Sequence, residues 1–178
     1  MPLTLRMTED ELIEACLAED RLAQKELYER YSRAMYTLAY RMSSDFELSN
    51  DILQEAFIKV FRGLPGFRRQ STLGAWIKTI VVRTALSRLK KEQHFEPIEN
   101  RPEGDALDWG HYLDAEYLEQ AIQSLPEGYR AVFVLIEIEG YSHKEVAEML
   151  SISTGTSKSQ LFHAKKRLRE TIKPLLDF

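Results

Sequence analysis

Cysteine is almost absent from this 178-residue sequence, because Cys16 is the only one. A single cysteine excludes an internal disulfide and a thiolate metal cluster. The sequence also lacks an apolar run of the roughly 18 residues that span a bilayer, and its first residues contain no signal-peptide core. The histidines are scattered without the spacing of metal ligands: His94, His111, His143 and His163. We therefore expect a reduced, cytoplasmic protein with no metal, no cofactor and no membrane insertion.

Glycine is also scarce, with 8 residues, and no stretch alternates polar and apolar residues as a strand does. Apolar residues instead recur at three- and four-residue spacing, which predicts an all-α fold. Thr8 with Glu11, and Ser142 with Glu145, have the spacing of capping boxes at helix starts. The longer predicted helices span about Arg21–Met42, Leu48–Arg62, Thr72–Lys91 and Pro126–Glu139.

The segment Glu92–Asp114 separates two helical parts of the chain. It contains Pro97, Pro102, Gly104 and Gly110 and has no helical period, so it is interpreted as a flexible linker. The sequence thus predicts two small helical domains, residues 1–94 and 114–178, joined by an acidic linker at residues 95–113. The second domain is predicted to contain a helix-turn-helix.

Charge is distributed unevenly between these parts. Residues 1–91 carry 15 basic and 12 acidic side chains, residues 92–125 carry 1 and 9, and residues 126–178 carry 8 and 7. Residues 59–91 contain nine basic side chains and no acidic one, and residues 154–173 contain six and one. Two acid-poor basic segments are typical of nucleic-acid binding, although a single one could simply be a solvated helix face.

The second basic segment follows a short turn after a capped helix, as in a helix-turn-helix. Leu161, Ala164 and Leu168 recur on one side of the second helix, so that side is predicted to pack inward. The side predicted to be exposed carries hydroxyl, amide and basic groups that suit phosphates and base edges in a major groove. These residues are Thr156, Lys158, Ser159, Gln160, His163 and Arg167. An ordinary helical hairpin with a polar exterior is the alternative.

Two features of the first domain suggest macromolecular contacts. Asp51, Gln54, Glu55 and Ile58 have i, i+3, i+4 and i+7 spacing, so they form one stripe that suits a protein-binding surface. Further along, a basic loop rich in hydroxyl groups leads into a helix with Trp76 near its start. Cations beside aromatic rings suit single-stranded nucleic acid, although the spacing of Trp76 also suits a core position.

Three segments resemble bacterial sigma factors of the extracytoplasmic-function (ECF) type, members of the sigma-70 family. They are "DILQEAFIKVF", "FRRQSTLGAWI", and "LPEGYRAVFVL" followed by "GYSHKEVAEMLSISTGTSKSQLFHAKKRL" with its G-T-x-K-S signature. The resemblance covers about Asp10–Lys91 and Leu113–Ile172. It implies a sigma factor that directs promoter-specific initiation by core RNA polymerase, while catalysis belongs to the polymerase.

The resemblance implies a role for each group of residues. Asp51, Gln54, Glu55 and Ile58 would bind core polymerase, and Thr156, Lys158, Ser159, Gln160, His163 and Arg167 would read the minus-thirty-five element. The minus-ten element would be captured and melted by Phe67, Arg68, Arg69, Ser71, Thr72, Arg83 and Arg88. The expected partners are core RNA polymerase, promoter DNA as duplex and melted strand, and an anti-sigma factor.

The chain departs from the family pattern at several of these positions. Arg83 and Ser87 stand where asparagine and aspartate are frequent. In the predicted recognition helix, the usual valine, arginine, histidine and arginine are replaced by Ser157, Gln160, Phe162 and His163. Because two arginines are lost, we expect fewer phosphate contacts and a weaker salt dependence of DNA binding.

Two other classes of protein were weighed against a sigma factor. A self-standing helix-turn-helix regulator would bind duplex DNA without polymerase, but it would not need the basic segment around Trp76. An enzyme is disfavoured because the sequence contains no P-loop, no G-x-S-x-G motif and no metal-ligand cluster.

Overall fold

The computed structural model describes residues 7–92 and 115–176, so the predicted linker at 95–113 lies outside the described residues. Every regular element in these two ranges is helical, which confirms the all-α prediction. Contacts between Cα atoms divide the chain into two compact units. The N-terminal unit is Met1–Tyr40 with Asp45–Ser87, and the C-terminal unit is Arg41–Ser44 with Arg88–Phe178.

The N-terminal unit is formed by α1 (Glu9–Leu17), most of α2 (Arg21–Ser43), α3 (Phe46–Gly63) and most of α4 (Leu73–Glu92), with a 3₁₀ turn at Leu64–Gly66 after α3. Short side chains cap the helix starts locally. Thr8 and Glu11 form the predicted capping box at α1, and Asp20 accepts the Leu22 N–H at 2.7 Å at α2. Asp45 similarly accepts the Leu48 N–H at 2.8 Å at α3.

The core of this unit is formed by one apolar face of each helix. The fully buried side chains include Leu12 and Leu27 on α1 and α2, Ile52 on α3, and Leu73 and Ile77 on α4. Burying each such side chain contributes about 1.5–3 kcal/mol. Leu17, the last residue of α1, is apolar but 40% exposed.

The C-terminal unit contains α5 (Ala115–Gln123), α6 (Glu127–Phe133), α7 (His143–Leu150) and α8 (Thr154–Leu176). After α6 the helix continues in a π-helical turn, Val134–Ile138, and helix α8 packs against α5, α6 and α7. The buried Arg130 donates to the carbonyls of Gln123 and Leu125 at 3.1 and 2.8 Å. It therefore binds the carbonyl-bearing end of α5, where a cation is favourable.

The helix-turn-helix prediction is matched in detail by α7 and α8. Ser142 and Glu145 form the predicted capping box at α7. Ser151 ends α7 with a left-handed backbone, φ +57°, which turns the chain sharply before α8 begins at Thr154. Within residues 7–92 and 115–176, no helix combines the length and apolar character needed to cross a membrane.

Gly140 provides a test of the turn before α7. Its φ is +77°, and a Cβ atom built there would meet no atom within 4 Å, so alanine would be opposed by the backbone conformation alone. We expect Gly140→Ala to lower the free energy of unfolding by about 1 kcal/mol, measured by urea denaturation.

The matched control is Gly66→Ala, which also places a Cβ in open space but without a positive φ. We expect it to be neutral or slightly stabilising, because alanine restricts the unfolded chain. Equal losses in both variants would contradict the argument from φ.

Candidate nucleic-acid and protein interface

The predicted stripe on α3 faces outward. Asp51, Gln54 and Ile58 are exposed, and Glu55 is half-buried. The opposite side of α3, which includes Ile52, Ala56 and Val60, is fully buried. Because an isoleucine that is 52% exposed lies between polar groups on a rigid helix, the stripe has the mixed character of a protein-binding surface.

Lys59 restrains the side chain of Glu55 in this stripe. Its Nζ lies 2.8 Å from Glu55 Oε1 and 3.2 Å from the hydroxyl of Thr84 on α4. Glu55 is therefore held by a neighbour on its own helix, and that neighbour is anchored to the next helix. The carboxylates of Glu55 and Asp51 give the stripe its negative charge.

The loop before α4 joins an aromatic pair to exposed polar groups. The rings of Phe67 and Trp76 lie 5.0 Å apart with an interplanar angle of 37°, and both residues are half-buried. Trp76 is thus neither a fully buried core residue nor a free stacking surface. Arg68 and Ser71 are exposed beside this pair, and the exposed Thr72 caps α4 by accepting the Ala75 N–H at 3.3 Å.

Arg69 differs from its neighbours in the loop. Its guanidinium forms ion pairs with Glu14 and, at 2.9 Å, with Asp10, both on α1. The acidic partners precede Arg69 by more than 50 residues, so no local sequence pattern indicates this contact.

Two of the four arginines predicted to bind the minus-ten element lie on α4, and they occupy different sides of the helix. Arg83 follows Trp76 by seven residues, so the two share one side of α4, and Arg83 is exposed. Arg88 is half-buried and lies about 140° around the helix from Arg83, given about 100° per residue. The structure therefore groups Arg83, but not Arg88, with the aromatic pair.

The start of α8 is organised by Ser153. Its hydroxyl accepts the Thr156 N–H at 2.9 Å and lies 2.9 Å from the Thr156 hydroxyl. Lys158, two residues after Thr156, is exposed. A helix start with hydroxyl groups and a nearby lysine suits a phosphate. Ser153 was not among the residues predicted from the sequence, although a serine three residues before Thr156 is a recognisable capping signal.

Two of the six residues predicted to be exposed on α8 are buried. Gln160 is 4% exposed, and its spacing from Ser157 and Ala164 places it on the packed side of α8. Ser159 is 6% exposed, and its short side chain lies about one helical turn before Phe162 and His163. The prediction that Ser159 and Gln160 are presented to solvent is wrong for this structure. Lys158 and Arg167 are exposed as predicted, and Thr156 and His163 are half-buried.

Tyr129 on α6 supports the middle of α8. Its ring stacks on that of His163, with centroids 5.7 Å apart and planes 20° apart. The Arg167 guanidinium lies 5.7 Å from the same ring, within the range of a cation–π contact. The buried Tyr129 thus orients two of the predicted DNA-binding side chains, a role that the sequence alone did not indicate.

A polar contact also joins α7 to α8. His143 Nδ1 lies 2.9 Å from the hydroxyl of Ser157, which is fully buried. Partial burial lowers the pKa of His143 below its ordinary value, Lys158 and Lys165 lower it further, and Glu137 opposes them. Neutral His143 is therefore favoured between the two helices at neutral pH.

Both units match family models for known regions of bacterial transcription factors. Residues 27–95 match Sigma-70 region 2, and residues 115–168 match Sigma-70, region 4. These regions define a sigma-70 type initiation factor of RNA polymerase.

Individual relatives have the same organisation. The chain is 34% identical to the ECF RNA polymerase sigma factor SigM of Mycobacterium tuberculosis over 161 residues, 89% of this chain and 81% of that protein. It is 30% identical to the ECF RNA polymerase sigma-E factor of Escherichia coli K12 over 187 aligned positions, covering 96% and 97%. The chain therefore belongs to the ECF family of RNA polymerase sigma factors, and it directs promoter-specific transcription initiation.

Solved structures show the same fold. The sigma factor RpoE of Bartonella quintana, in complex with the anti-sigma factor NepR, is 25% identical and has a TM-score of 0.56, covering 84% of this chain and 96% of that one. CnrH, in complex with the cytosolic domain of CnrY, is 19% identical with a TM-score of 0.50, covering 95% and 97%. The resemblance found in the sequence motifs is confirmed at the level of family and fold.

The pKa of His143 can be measured by following its imidazole protons in NMR spectra from pH 5 to 8. We expect a titration midpoint below the ordinary value of about 6.5, and Lys158→Gln should raise it because a nearby cation is removed. The adjacent Lys144→Gln is the control and should leave it unchanged. A midpoint that is insensitive to Lys158→Gln would contradict the proposed electrostatic cause.

The same lowered pKa predicts the direction of a stability change. Between the folded and unfolded pKa values of His143, the unfolded state binds more protons. The contribution of neutral His143 to the stability of the fold is therefore present above about pH 6.5. It is lost as the pH falls through the pKa of His143 in the folded state.

Proposed function

We propose that the sites described above divide the work of initiation between the two units. The α3 stripe binds core RNA polymerase, the loop before α4 captures the melted minus-ten strand, and α8 reads the minus-thirty-five element as duplex. The observation that carries this proposal is the exposure of the α3 stripe, Arg68 and Lys158, each on a helix or loop fixed by buried neighbours. The proposed domain limits are residues 1–94 and 114–178, with the acidic linker between them.

The proposed minus-ten site contains a half-buried aromatic pair and exposed cations. A melted strand offers unstacked bases and phosphates, which need planar partners and positive charge. Phe67 and Trp76 supply the rings, while Arg68, Ser71 and Thr72 supply polar groups at the same edge. Arg83 extends this surface along α4, whereas Arg88 is proposed as a peripheral contact because it lies on another side of the helix.

The proposed minus-thirty-five site is smaller than the sequence suggested. Lys158 and Thr156 lie near the start of α8, and His163 and Arg167 are oriented by Tyr129 further along. Ser159 and Gln160 are left out of this set because their side chains are buried. A sparse set of cations suits a helix that enters the major groove and makes few phosphate contacts.

An anti-sigma protein is proposed as a third partner. The Bartonella quintana sigma factor, 25% identical to this chain, was solved in complex with its anti-sigma factor. The negative, partly apolar α3 stripe is a surface that such a protein could cover to prevent polymerase binding. We further propose that the chain acts in the cytoplasm and has no catalytic activity of its own.

The function can be tested by transcription in vitro with core RNA polymerase, fragmented genomic DNA and the purified chain, followed by sequencing of the RNA starts. We expect discrete new starts that share two upstream elements. If an active core enzyme gave no new starts, promoter-directed initiation by this chain without an additional activator would be refuted.

The polymerase-binding stripe can be tested with Glu55→Arg. The change replaces a carboxylate in the proposed interface with a cation, and we expect core-polymerase affinity to fall about tenfold or more in a pull-down titration. Unchanged affinity would remove Glu55 from the interface.

Glu29→Arg on α2 is the matched control. Glu29 also forms an ion pair with a lysine four residues away, Lys25, so both variants place arginine beside lysine on an exposed helix surface. Only the variant on α3 should weaken polymerase binding.

A further inference from the structure

The acidic side of α1 contacts the loop that we propose binds the melted minus-ten strand. Asp10 and Glu14 both bind the Arg69 guanidinium. Glu9 lies with Asp10 in the first turn of α1. Its carboxylate accepts the backbone N–H of Leu73, the first residue of α4, at 3.0 Å. Three carboxylates spaced along one helix thus hold both a side chain and the backbone of this loop.

The backbone of Arg69 indicates that this contact shapes the loop. Its φ is +55°, in the left-handed region that residues with a Cβ atom seldom adopt. Such a conformation persists where the surroundings compensate for it. At Arg69 the compensating contacts visible in the structure are the two ion pairs with α1.

The loop is fixed at three points along its length. Phe67 packs on Trp76, Arg69 binds α1, and Leu73 donates to Glu9. Between them, Arg68 and Ser71 remain exposed and face solvent. A loop held in this way loses less conformational freedom when a strand binds than a free loop would.

The charge of Arg69 is already balanced by its partners. A guanidinium whose charge is balanced by two carboxylates attracts a phosphate less strongly than a guanidinium without anionic partners. Arg68, its immediate neighbour, is exposed and carries the same charge. The two arginines therefore differ in role although they are adjacent in the sequence.

We propose that Arg69 is a positioning residue rather than a DNA contact, and that Asp10 and Glu14 act with it to preorganise the minus-ten loop. This inference rests on the proposed function, because it assumes that the loop binds a melted strand. It assigns to α1 a part in promoter melting that the sequence motifs do not include.

A double-mutant cycle tests the proposal in the holoenzyme formed with core polymerase. The probe is a single-stranded oligonucleotide carrying the nontemplate minus-ten element of a promoter mapped by the transcription experiment. The variants are Arg69→Ala, the double change Asp10→Asn with Glu14→Gln, and the combined triple change. Affinity is measured at several salt concentrations.

We expect Arg69→Ala and the double change each to weaken binding by roughly three- to tenfold, in keeping with two exposed ion pairs. The triple change should weaken it no further, because both act through the same contact. The dependence of affinity on salt should stay the same in all three, since no phosphate contact is lost. Exchanging the charges, with Arg69→Glu and Glu14→Arg together, should restore part of the affinity lost in Arg69→Glu alone.

Two controls give these results their meaning. Arg68→Ala should weaken binding equally with and without the α1 carboxylates, and should reduce the salt slope by about 0.7, as expected for one lost phosphate contact on a single strand. Glu29→Gln with Glu47→Gln removes the same two charges from exposed positions on α2 and α3, and so reports any general electrostatic effect.

The proposal is overturned if Arg69→Ala weakens binding as much in the Asp10→Asn, Glu14→Gln background as in the wild type and also lowers the salt slope. Arg69 would then contact DNA directly. It is also overturned if the double change tightens binding beyond its charge control, because the carboxylates would then compete with DNA. If the wild-type holoenzyme fails to bind the strand, the proposed minus-ten function itself is refuted, and the inference with it.

Discussion

Burial of one apolar face on each helix is the constraint on which the other features depend. On α3, full burial of Ile52, Ala56 and Val60 requires the stripe that begins at Asp51 to face solvent. On α4, burial of Ile77 likewise places Trp76 and Arg83 about 100–120° around the helix from it, where Trp76 is half-buried and Arg83 is exposed. A helix has only one orientation that buries its apolar face, so the hydrophobic effect also determines which polar side chains are available to a partner.

Polar contacts then specify the segments that burial leaves undetermined. Local ones, such as the capping boxes at Thr8 and Ser142, fix where helices begin. Polar contacts between residues far apart in the chain orient a loop without helical period and side chains on a helix surface. The loop before α4 takes its shape from α1 through Arg69, and the middle of α8 takes its side-chain orientation from Tyr129 through two ring contacts.

The departures from the family pattern acquire a physical meaning in this arrangement. Ser157 is fully buried and contacts His143, so a polar contact between α7 and α8 stands where the family usually has an apolar valine. His163 stands where arginine is usual and stacks on Tyr129. Gln160 is buried with the packed face of α8. These residues determine how α8 is held against its neighbours.

The sequence by itself determined the helical class, the helix starts and the family, because periodicity, capping residues and motifs are local signals. It also placed Asp51, Gln54 and Ile58 on one exposed stripe, since helical spacing alone decides that. Tertiary structure decided the burial of Ser159 and Gln160 and the partners of Arg69. Contacts between residues far apart in the chain depend on how helices pack, and no local pattern encodes that packing.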